Sequence, residues 1–393
     1  MRIRLMCGAA CAAALISITA RADIALSSND GHTILADGVQ IAPPSPLPDT
    51  LSVIDLAHLP PKIIATIDVP GSVVGPPMAV AIAPDESYAI VTSATKADPK
   101  GPAGISPDDR VTVVDLKARP PAVAQTLTAG LGATVVRISP DGKLVLVANR
   151  GEGTVSIFAI HDRRLEPAGK LDLGNPKAGP SGLAFLRDGH TALVSRDGDS
   201  MVSVLHIDGT TITIDPRPIT TGLRPYTLDV NAAGTLAAVS NMGRGDGDID
   251  TVSLIDLTKT PIRTIETIGV GRGPEGLKFS PDGKLLAVGL QDGSTKPKAS
   301  PFHTDTGRLV MFRVETGTIR GGEVQAAHLQ RLAETPIGGW SQGIAFSRDG
   351  RYVLVQNMVQ TNIQMFRWAD DRLVPAGALD THIGPAAIRT PWP

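Results

Sequence analysis

A recurring strand–turn–strand pattern restricts this chain to a repeat protein built from β-strands. Six stretches combine a short apolar strand, a polar turn that ends near a glycine, and a second apolar strand. They begin at Ala79, Val135, Gly182, Thr227, Gly276 and Gly343. A loop and a third strand follow, as in residues 111–116, 154–160 and 251–257, and a weaker fourth strand comes after it. Four strands per unit predict the blades of a β-propeller.

A seventh copy of the pattern is divided between the two ends of the chain. Residues 28–32 read Ser-Asn-Asp-Gly-His and, with residues 33–36, match the turn and the second strand. Residues 51–56 match the third strand, and residues 384–388 supply the missing first strand. The predicted fold is therefore an all-β, seven-bladed β-propeller of four-stranded antiparallel blades. The N-terminal and C-terminal strands share one blade, which closes the ring and removes open sheet edges.

Composition favours strands and turns over helices. Gly and Pro together account for 73 of the 393 residues. They cost about 1 and 3 kcal/mol in a helix interior, so a helical bundle is excluded. Apolar runs separate these residues at regular distances, which excludes a disordered chain.

The first 22 residues have the features of a cleaved signal peptide. Arg2 and Arg4 precede an apolar run, and residues 20–22 read Ala-Arg-Ala, a typical cleavage site. We expect residues 1–22 to be removed and residues 23–393 to form one propeller domain, located in the periplasm or secreted. No later apolar run is long enough to span a membrane.

Removing the signal peptide also limits the chemistry of the mature chain. Both cysteines, Cys7 and Cys11, lie in the removed segment, which excludes disulfides and thiolate catalysis. The mature chain has 34 basic and 39 acidic residues, because three of the 37 basic residues are removed and none of the 39 acidic ones. A net charge of −5 gives no general attraction to nucleic acid.

Two sets of segments carry a family resemblance. Residues 139–160 read SPDGKLVLVANRGEGTVSIFAI, and the third strands contain LSVIDL, VTVVDL and VSLIDL. These units resemble the YVTN-repeat and lactonase-like superfamily of seven-bladed propellers, over nearly the whole mature chain. The resemblance implies the propeller fold. The superfamily contains sugar lactonases, muconate cycloisomerases and extracytoplasmic propellers with a binding role, so several functions stay open.

Five arginines are predicted to gather at one mouth of the central channel. In a propeller of this strand order, the loops entering the first strands and the loops joining second to third strands surround the same mouth. The arginines of these loops are Arg150, Arg196, Arg224, Arg244 and Arg272. Their guanidinium groups suit a carboxylate, a phosphate or a lactone carbonyl. The alternative is that each arginine pairs with an Asp or Glu and ties adjacent blades together.

Glu275 is the carboxylate predicted to do chemistry at this mouth. It precedes a first strand, where it can assist water while Arg224 or Arg272 polarises a carbonyl group. The alternative is a salt bridge to one of these arginines. We expect Arg150, Arg196 and Arg244, together with Tyr226, Trp340 and Gln342, to bind the ligand.

A calcium site is a further prediction. Glu275 with Asn149, Asn241 and Asn357 offers one carboxylate and three amide oxygens, which hard cations prefer. The resemblance to calcium-dependent gluconolactonase propellers suggests this divalent cation, although the motifs match only in residue type.

Two functions follow from these features. The first is an exported lactonase-like hydrolase for a small polar or anionic lactone. The second is a non-catalytic binding or scaffold propeller that engages a periplasmic protein or another component of the cell envelope. In both cases we expect a monomer, with a small-molecule ligand or a periplasmic protein as partner. Fold-level analogy does not choose between them.

Overall fold

The computed structural model describes residues 23–391, except residues 59, 318, 321, 322 and 325. The described residues form seven four-stranded antiparallel sheets arranged as the blades of a β-propeller, as the repeats predict. The predicted signal peptide, residues 1–22, lies outside the described residues. The described part contains no helix with the length and hydropathy needed to cross a bilayer.

The strands of each blade follow from the centre of the ring outwards. Blade 1 contains Gly384–Arg389, Ile24–Asp30, Thr50–Asp55 and Lys62–Asp68. Blade 2 contains Val80–Ile82, Tyr88–Thr92, Arg110–Asp115 and Ala122–Thr128. Blade 3 contains Ala133–Ile138, Leu144–Asn149, Thr154–His161 and Arg164–Asp172. Blade 4 contains Pro180–Phe185, Thr191–Arg196, Met201–Asp208 and Thr211–Ile214, and Ile219–Thr220 also pairs with its third strand.

The remaining three blades have the same order. Blade 5 contains Pro225–Val230, Leu236–Asn241, Asp250–Asp256 and Arg263–Gly271. Blade 6 contains Pro274–Phe279, Leu285–Leu290, Gly307–Glu315 and His328–Ile337. Blade 7 contains Ser341–Phe346, Tyr352–Asn357, Asn362–Ala369 and Arg372–Asp380. Three short hairpins in the loops pair Ile34–Ala36 with Val39–Ile41, Thr95–Ala97 with Ile105–Pro107, and Ile319–Arg320 with Glu323–Val324. One 3-10 turn covers Pro102–Gly104.

The turn between first and second strands is fixed by its own side chains. In blade 3, the Ser139 hydroxyl donates to the Asp141 carboxylate at 2.6 Å and accepts the backbone N–H of Leu144 at 2.9 Å. Gly142 has a φ of 71°, a left-handed conformation that favours glycine. These local bonds explain why the Ser-Pro-Asp-Gly sequence marks the turn so reliably.

Ring closure follows the prediction, but the register in blade 1 differs from it. The C-terminal strand pairs with Ile24–Asp30, which brings Arg389 opposite Leu26 and Gly384 opposite Asp30. Residues 24–30 are all buried and form the second strand. Residues 28–32 therefore do not form the predicted turn, and residues 33–36 are not the second strand.

The physical reason for this error is the polar end of a buried strand. Ser28, Asn29 and Asp30 resemble a turn sequence, yet all three are buried where the second strand ends, and the side chains of Asn29 and Asp30 make hydrogen bonds there. Asn29 donates from its amide to the hydroxyl of Ser52 in the third strand at 3.0 Å. The Asp-Gly pair thus lies at the opposite end of the blade from the turns of the other repeats.

The core consists of layers between neighbouring blades. One cluster joins Leu146 of blade 3 to Leu183 and Val194 of blade 4, all with no exposed surface. Another joins Leu26 of blade 1 to Val91 of blade 2. Because each layer needs side chains from two blades, no blade buries its apolar surface alone.

Candidate functional site

The loops predicted to surround the mouth do meet at one end of the channel. In blade 6, the backbone N–H of Gln291 donates to the carbonyl of Gly273 at 2.9 Å, which ties the second-to-third-strand loop to the entry loop. In blade 5, the N–H of Met242 donates to the carbonyl of Arg224 at 3.0 Å. We call this end the mouth. The opposite end, with the Ser-Pro-Asp-Gly turns, is called the far end.

Glu275 is a buried carboxylic acid beside the mouth. It lies in the first strand of blade 6 and is only 3% exposed. The side-chain amides of Gln291 and Gln342 hydrogen-bond to it. Burial raises the pKa of Glu275 to about 8, and the two amide hydrogen bonds oppose this shift without cancelling it. The group therefore keeps its proton at neutral pH.

A pocket opens at the mouth next to Glu275, between the loops of blades 5 and 6, and we call it the mouth pocket. Its charged lining residues are Arg224, Arg244, Arg272, Lys296, Asp248 and Asp250. Gln291 also lines it and donates to the carboxyl group of Glu275. One amide side chain thus separates the buried acid from a cationic pocket.

Two of the predicted arginines form ion pairs between blades. Asp197 of blade 4 accepts Arg150 of blade 3 at 2.5 Å and Arg224 of blade 5 at 3.3 Å. Arg224 also donates to the carbonyl of Gly243 at 3.2 Å. For this pair of arginines the structure shows the blade-tying alternative. Arg224 nevertheless lines the mouth pocket and its side chain is 39% exposed, so it stays accessible to a ligand.

The other three predicted arginines have different surroundings. Arg196 pairs with Asp199 in its own loop and is buried. Arg272 donates to the Asp292 carboxylate at 3.1 Å and to two backbone carbonyls, which anchors the loop after the second strand of blade 6. Arg244 is exposed, and no other described residue forms an ion pair or hydrogen bond with its side chain.

Arg224 and Trp340 occupy backbone positions that other blades give to glycine. The residue before the first strand has a positive φ in blades 3 to 7. It is Gly132, Gly179 and Gly273 in blades 3, 4 and 6, but Arg224 with φ 55° in blade 5 and Trp340 with φ 50° in blade 7. A side chain in this conformation is strained, and such strain is concentrated at functional sites.

The predicted ligand-binding residues Tyr226, Trp340 and Gln342 are buried at the mouth. The Arg150 guanidinium lies over the Tyr226 ring, 6.0 Å from its centre. Trp340 packs in an apolar cluster with Val73 and Met358. Gln342 lies against Glu275, and its buried Oε1 has no hydrogen-bond partner among the described residues. These three residues therefore support the mouth rather than lining the mouth pocket.

The three asparagines predicted to bind calcium act as clamps within their blades. Each ends a second strand and donates from its amide to two side chains of the third strand. In blade 3, Asn149 also accepts the N–H of Gly130 at 3.0 Å. The amide oxygens of Asn241 and Asn357 are buried and have no partner among the described residues. The calcium site stays a prediction.

An acidic cluster lies in blade 1. The ligand atoms of Asp30, His32 and Asp49 come within 4.8 Å of one another, as a metal site requires. However, both Asp30 oxygens already accept backbone N–H groups, and Asp49 accepts His32 Nδ1 at 2.7 Å. Burial, opposed by His32 and assisted by the nearby Asp49, raises the pKa of Asp30 to about 6. The residues form a hydrogen-bonded staple that joins blade 1 to the entry loop of blade 2.

Sequence reasoning gave no role to Gln291, although the structure places it between Glu275 and the mouth pocket. The amide is held there by Thr295, which donates to its Oε1 at 2.9 Å. The available signal was positional: the other second-to-third-strand loops begin with Arg150, Asp197 or Met242 at this point, and each lies at the mouth. In these blades, the residue that directly follows the second strand therefore lies at the mouth.

The family comparison supports the lactonase resemblance. A family model described as "Lactonase, 7-bladed beta-propeller" matches residues 112–222 and 135–325, which together cover more than half of the chain. A search of curated protein sequences finds no match.

Several solved structures share the fold. A proposed 6-phosphogluconolactonase of Bacteroides uniformis aligns with a TM-score of 0.71 and 15% identity, over 94% of this chain and 99% of that one. A periplasmic gluconolactonase of Pseudomonas aeruginosa aligns with a TM-score of 0.66 and 18% identity, over 93% and 98%. Hydrazine synthase of Kuenenia stuttgartiensis aligns with a TM-score of 0.59 and 20% identity, over 81% and 90%. At these identities the similarity establishes the fold alone.

Proposed function

Because the chain belongs to the lactonase family of seven-bladed β-propellers, we propose that it hydrolyses a small polar or anionic lactone in the mouth pocket. One observation carries the proposal. A pocket lined by three arginines and a lysine has Gln291 in its wall, and Gln291 is hydrogen-bonded to the buried acid Glu275. The pocket thus combines positive charge for an anionic substrate with a titratable group for proton transfer.

Each group has a separate task in the proposed reaction. Arg244, which has no partner among the described residues, binds the charged or hydroxylated part of the substrate. Arg224 donates to the lactone carbonyl oxygen, where negative charge develops as the tetrahedral intermediate forms. Arg272 is held by Asp292 and by backbone carbonyls, so it shapes the pocket wall instead of polarising the substrate.

Glu275 acts as the general base in this scheme. A water molecule attacks the carbonyl carbon, forming a new C–O bond while its proton passes to the ionised Glu275. The tetrahedral intermediate then collapses, the ring C–O bond breaks, and the ring oxygen takes the proton back from Glu275 to give a hydroxy acid. The Gln291 side chain must turn aside for the water to reach Glu275. A base with a pKa of about 8 is a stronger proton acceptor than an ordinary glutamate, and about a tenth of it is ionised at pH 7.

The proposal uses no metal in any step. The side-chain amides of Asn149, Asn241 and Asn357 donate hydrogen bonds within three different blades, and the carboxyl group of Glu275 is hydrogen-bonded to the amides of two glutamines.

We further propose that the protein works outside the cytoplasm. The charged start, the apolar run and the Ala-Arg-Ala sequence at residues 20–22 support this, and one structural relative is a periplasmic gluconolactonase.

The test is a screen of purified residues 23–393 against sugar and aromatic-acid lactones, with calcium and with a chelator. We expect hydrolysis by the wild type and a loss of about 100-fold in kcat for Glu275→Gln. Arg244→Gln should raise KM more than it lowers kcat. Glu166→Gln, at an exposed glutamate of blade 3, is the matched control and should leave both constants unchanged. Equal rates for the wild type and Glu275→Gln would remove the catalytic role.

A non-catalytic binding propeller is the second candidate. It is favoured by the ion pairs that join Asp197 to Arg150 and Arg224 across three blades, because they commit two guanidinium groups to holding the mouth together. This function, in which the partner is a periplasmic protein or another component of the cell envelope, predicts that neither the wild type nor Glu275→Gln turns over any lactone of the screen. Hydrolysis by the wild type that is lost in Glu275→Gln therefore distinguishes the two candidates.

A further inference from the structure

Charged side chains occupy one layer of the first strands near the far end of the channel. Strand register makes seven positions equivalent, one in each blade, because each pairs with the corresponding residue of its second strand. In blade order these are Arg389, Ala81, Arg137, Ala184, Asp229, Lys278 and Ala345. Three cations and one carboxylate therefore share a layer that the other blades fill with apolar residues. We call Arg137, Asp229, Lys278 and Arg389 the far-end cluster.

The single carboxylate of the cluster is already engaged. Lys278 Nζ lies 3.0 Å from both oxygens of Asp229, and the backbone N–H of Phe279 donates to the same carboxylate at 3.0 Å. Arg389 approaches it at 3.8 Å. Lys278 and Asp229 balance each other, so the positive charges of Arg137 and Arg389 are left in excess.

Arg137 is a buried cation whose hydrogen-bond donors are only partly used. It is 8% exposed, and its Nη1 donates to the carbonyls of Met78, Val80 and Val136 at distances of 2.7–3.4 Å. Its Nε and Nη2 have no partner among the described residues. Burial, and the nearby Arg389, lower the pKa of Arg137 well below its ordinary value. A buried cation with unused donors is costly unless an anion completes it.

A cavity lies beside Arg137. It has a volume of about 320 Å³ and opens at the far end between the first strands. Arg137, Asp229 and Arg389 line it, with the exposed Arg187 at the rim. Neutral polar side chains of Ser139, Asn231 and Thr390 are also in its wall. The space is large enough for a small oxyanion with some of its hydration water.

We propose that the far-end cavity binds a small oxyanion with two negative charges, such as phosphate or a dicarboxylate, between Arg137 and Arg389. Planar guanidinium groups match the paired oxygens of either ligand. The site is at the opposite end of the channel from the mouth pocket and does not depend on the lactonase proposal. Because Arg389 belongs to the strand that closes the ring, the anion would link blade 1 to blade 3 and stabilise the closed form.

Titration of the purified chain with phosphate and with succinate, at constant ionic strength, tests the site. Calorimetry should show one saturable site for at least one of these anions, together with a rise in Tm that reaches a plateau. Comparing the two anions shows whether the site prefers a tetrahedral or a planar oxyanion. The proposal would be overturned if neither anion showed saturable binding up to 10 mM, which is on the order of the Kd of a weak metabolite site.

Three variants separate binding from general stability. Arg389→Gln, at a partly exposed residue, should weaken binding at least 10-fold, and Arg137→Gln should do the same if it folds. Asp229→Asn removes the competing carboxylate and should tighten binding, whereas damage to the fold would weaken it. Arg351→Gln, at an exposed arginine of a far-end turn, is the control and should bind like the wild type. Unchanged affinity in Arg389→Gln, or weaker binding in Asp229→Asn, would contradict the proposal.

Discussion

Replacing Glu275 by glutamine should change the pH dependence of stability. Burial raises the pKa of Glu275 to about 8 from a value of 4.5 in a solvated chain. Between these values the folded protein binds a proton that the unfolded chain does not. Stability therefore falls as pH rises through this window, because the folded pKa is the higher one. Glu275→Gln keeps the size and the hydrogen-bonding capacity of the side chain but does not titrate.

The size of the effect follows from the same two pKa values. Each pH unit in the window costs up to about 1.4 kcal/mol, so the free energy of unfolding of the wild type should lose about 3–4 kcal/mol between pH 5 and pH 8 relative to Glu275→Gln. No cation among the described residues pairs with the carboxyl group to offset this cost. At pH 8 the variant should therefore be the more stable protein.

Urea unfolding of both proteins at pH 5, 6.5 and 8, followed by tryptophan fluorescence, measures this difference. Trp340 is buried at the mouth and should report the transition. Glu166→Gln controls for loss of an exposed carboxylate. A stability difference that is the same at the three pH values would show that burial does not control the ionisation of Glu275, and the reasoning would be wrong.

Three further predictions concern the ring and its loops. Asn149→Ala should lower the free energy of unfolding by about 2–3 kcal/mol, because a fully buried amide loses hydrogen bonds to Gly130, Thr154 and Ser156; urea unfolding measures it, and a loss below about 0.5 kcal/mol would contradict the clamp. Arg224→Gly should be about 1 kcal/mol more stable than Arg224→Ala, because only glycine adopts the positive φ at this position without strain. Both variants should lose lactone hydrolysis to the same extent, and equal stability of the two in urea unfolding would contradict the strain at Arg224. Ending the chain at residue 383 deletes the first strand of blade 1 and should abolish the cooperative thermal transition, whereas a normal transition in calorimetry would show that the ring does not need its closing strand.

The fold was predictable because its signals are local. Ser139, Asp141 and Gly142 form their turn from neighbouring groups, so the same Ser-x-Asp-Gly pattern marks the same turn in blades 3, 6 and 7. Blade 1 broke this rule because its second strand ends in Ser28, Asn29 and Asp30, polar residues that are buried by partners distant in sequence. A buried polar strand end and an exposed turn have the same composition, and only the tertiary contacts distinguish them.

The site was less predictable because pairing between blades depends on loop conformation. Asp197 stands beside Arg196 in the sequence, yet it pairs with Arg150 and Arg224 from the two neighbouring blades. No spacing rule anticipates such a contact. Glu275 was recognised from its place before a first strand, but its glutamine partners were not, since Gln291 comes from the same blade and Gln342 from the next one.

The far-end cluster shows a signal that alignment of the repeats does contain. Arg137, Asp229 and Lys278 each stand where blades 2, 4 and 7 have alanine, in the middle of an otherwise apolar segment. A charged residue at a repeat position that is elsewhere apolar indicates either a partner or a ligand. Strand register places these charges in one layer, and the pairing of the closing strand with Leu26 adds Arg389 to that layer.

The pH dependence of lactone hydrolysis is the most direct test of the proposed function. For a lactone turned over by the wild type, log kcat/KM should rise with pH and level off above about 8, where Glu275 is ionised. Glu275→Gln should retain only a small rate without this inflection. If the two proteins give superimposable pH profiles, Glu275 takes no part in proton transfer, and the assignment of the mouth pocket as an active site fails.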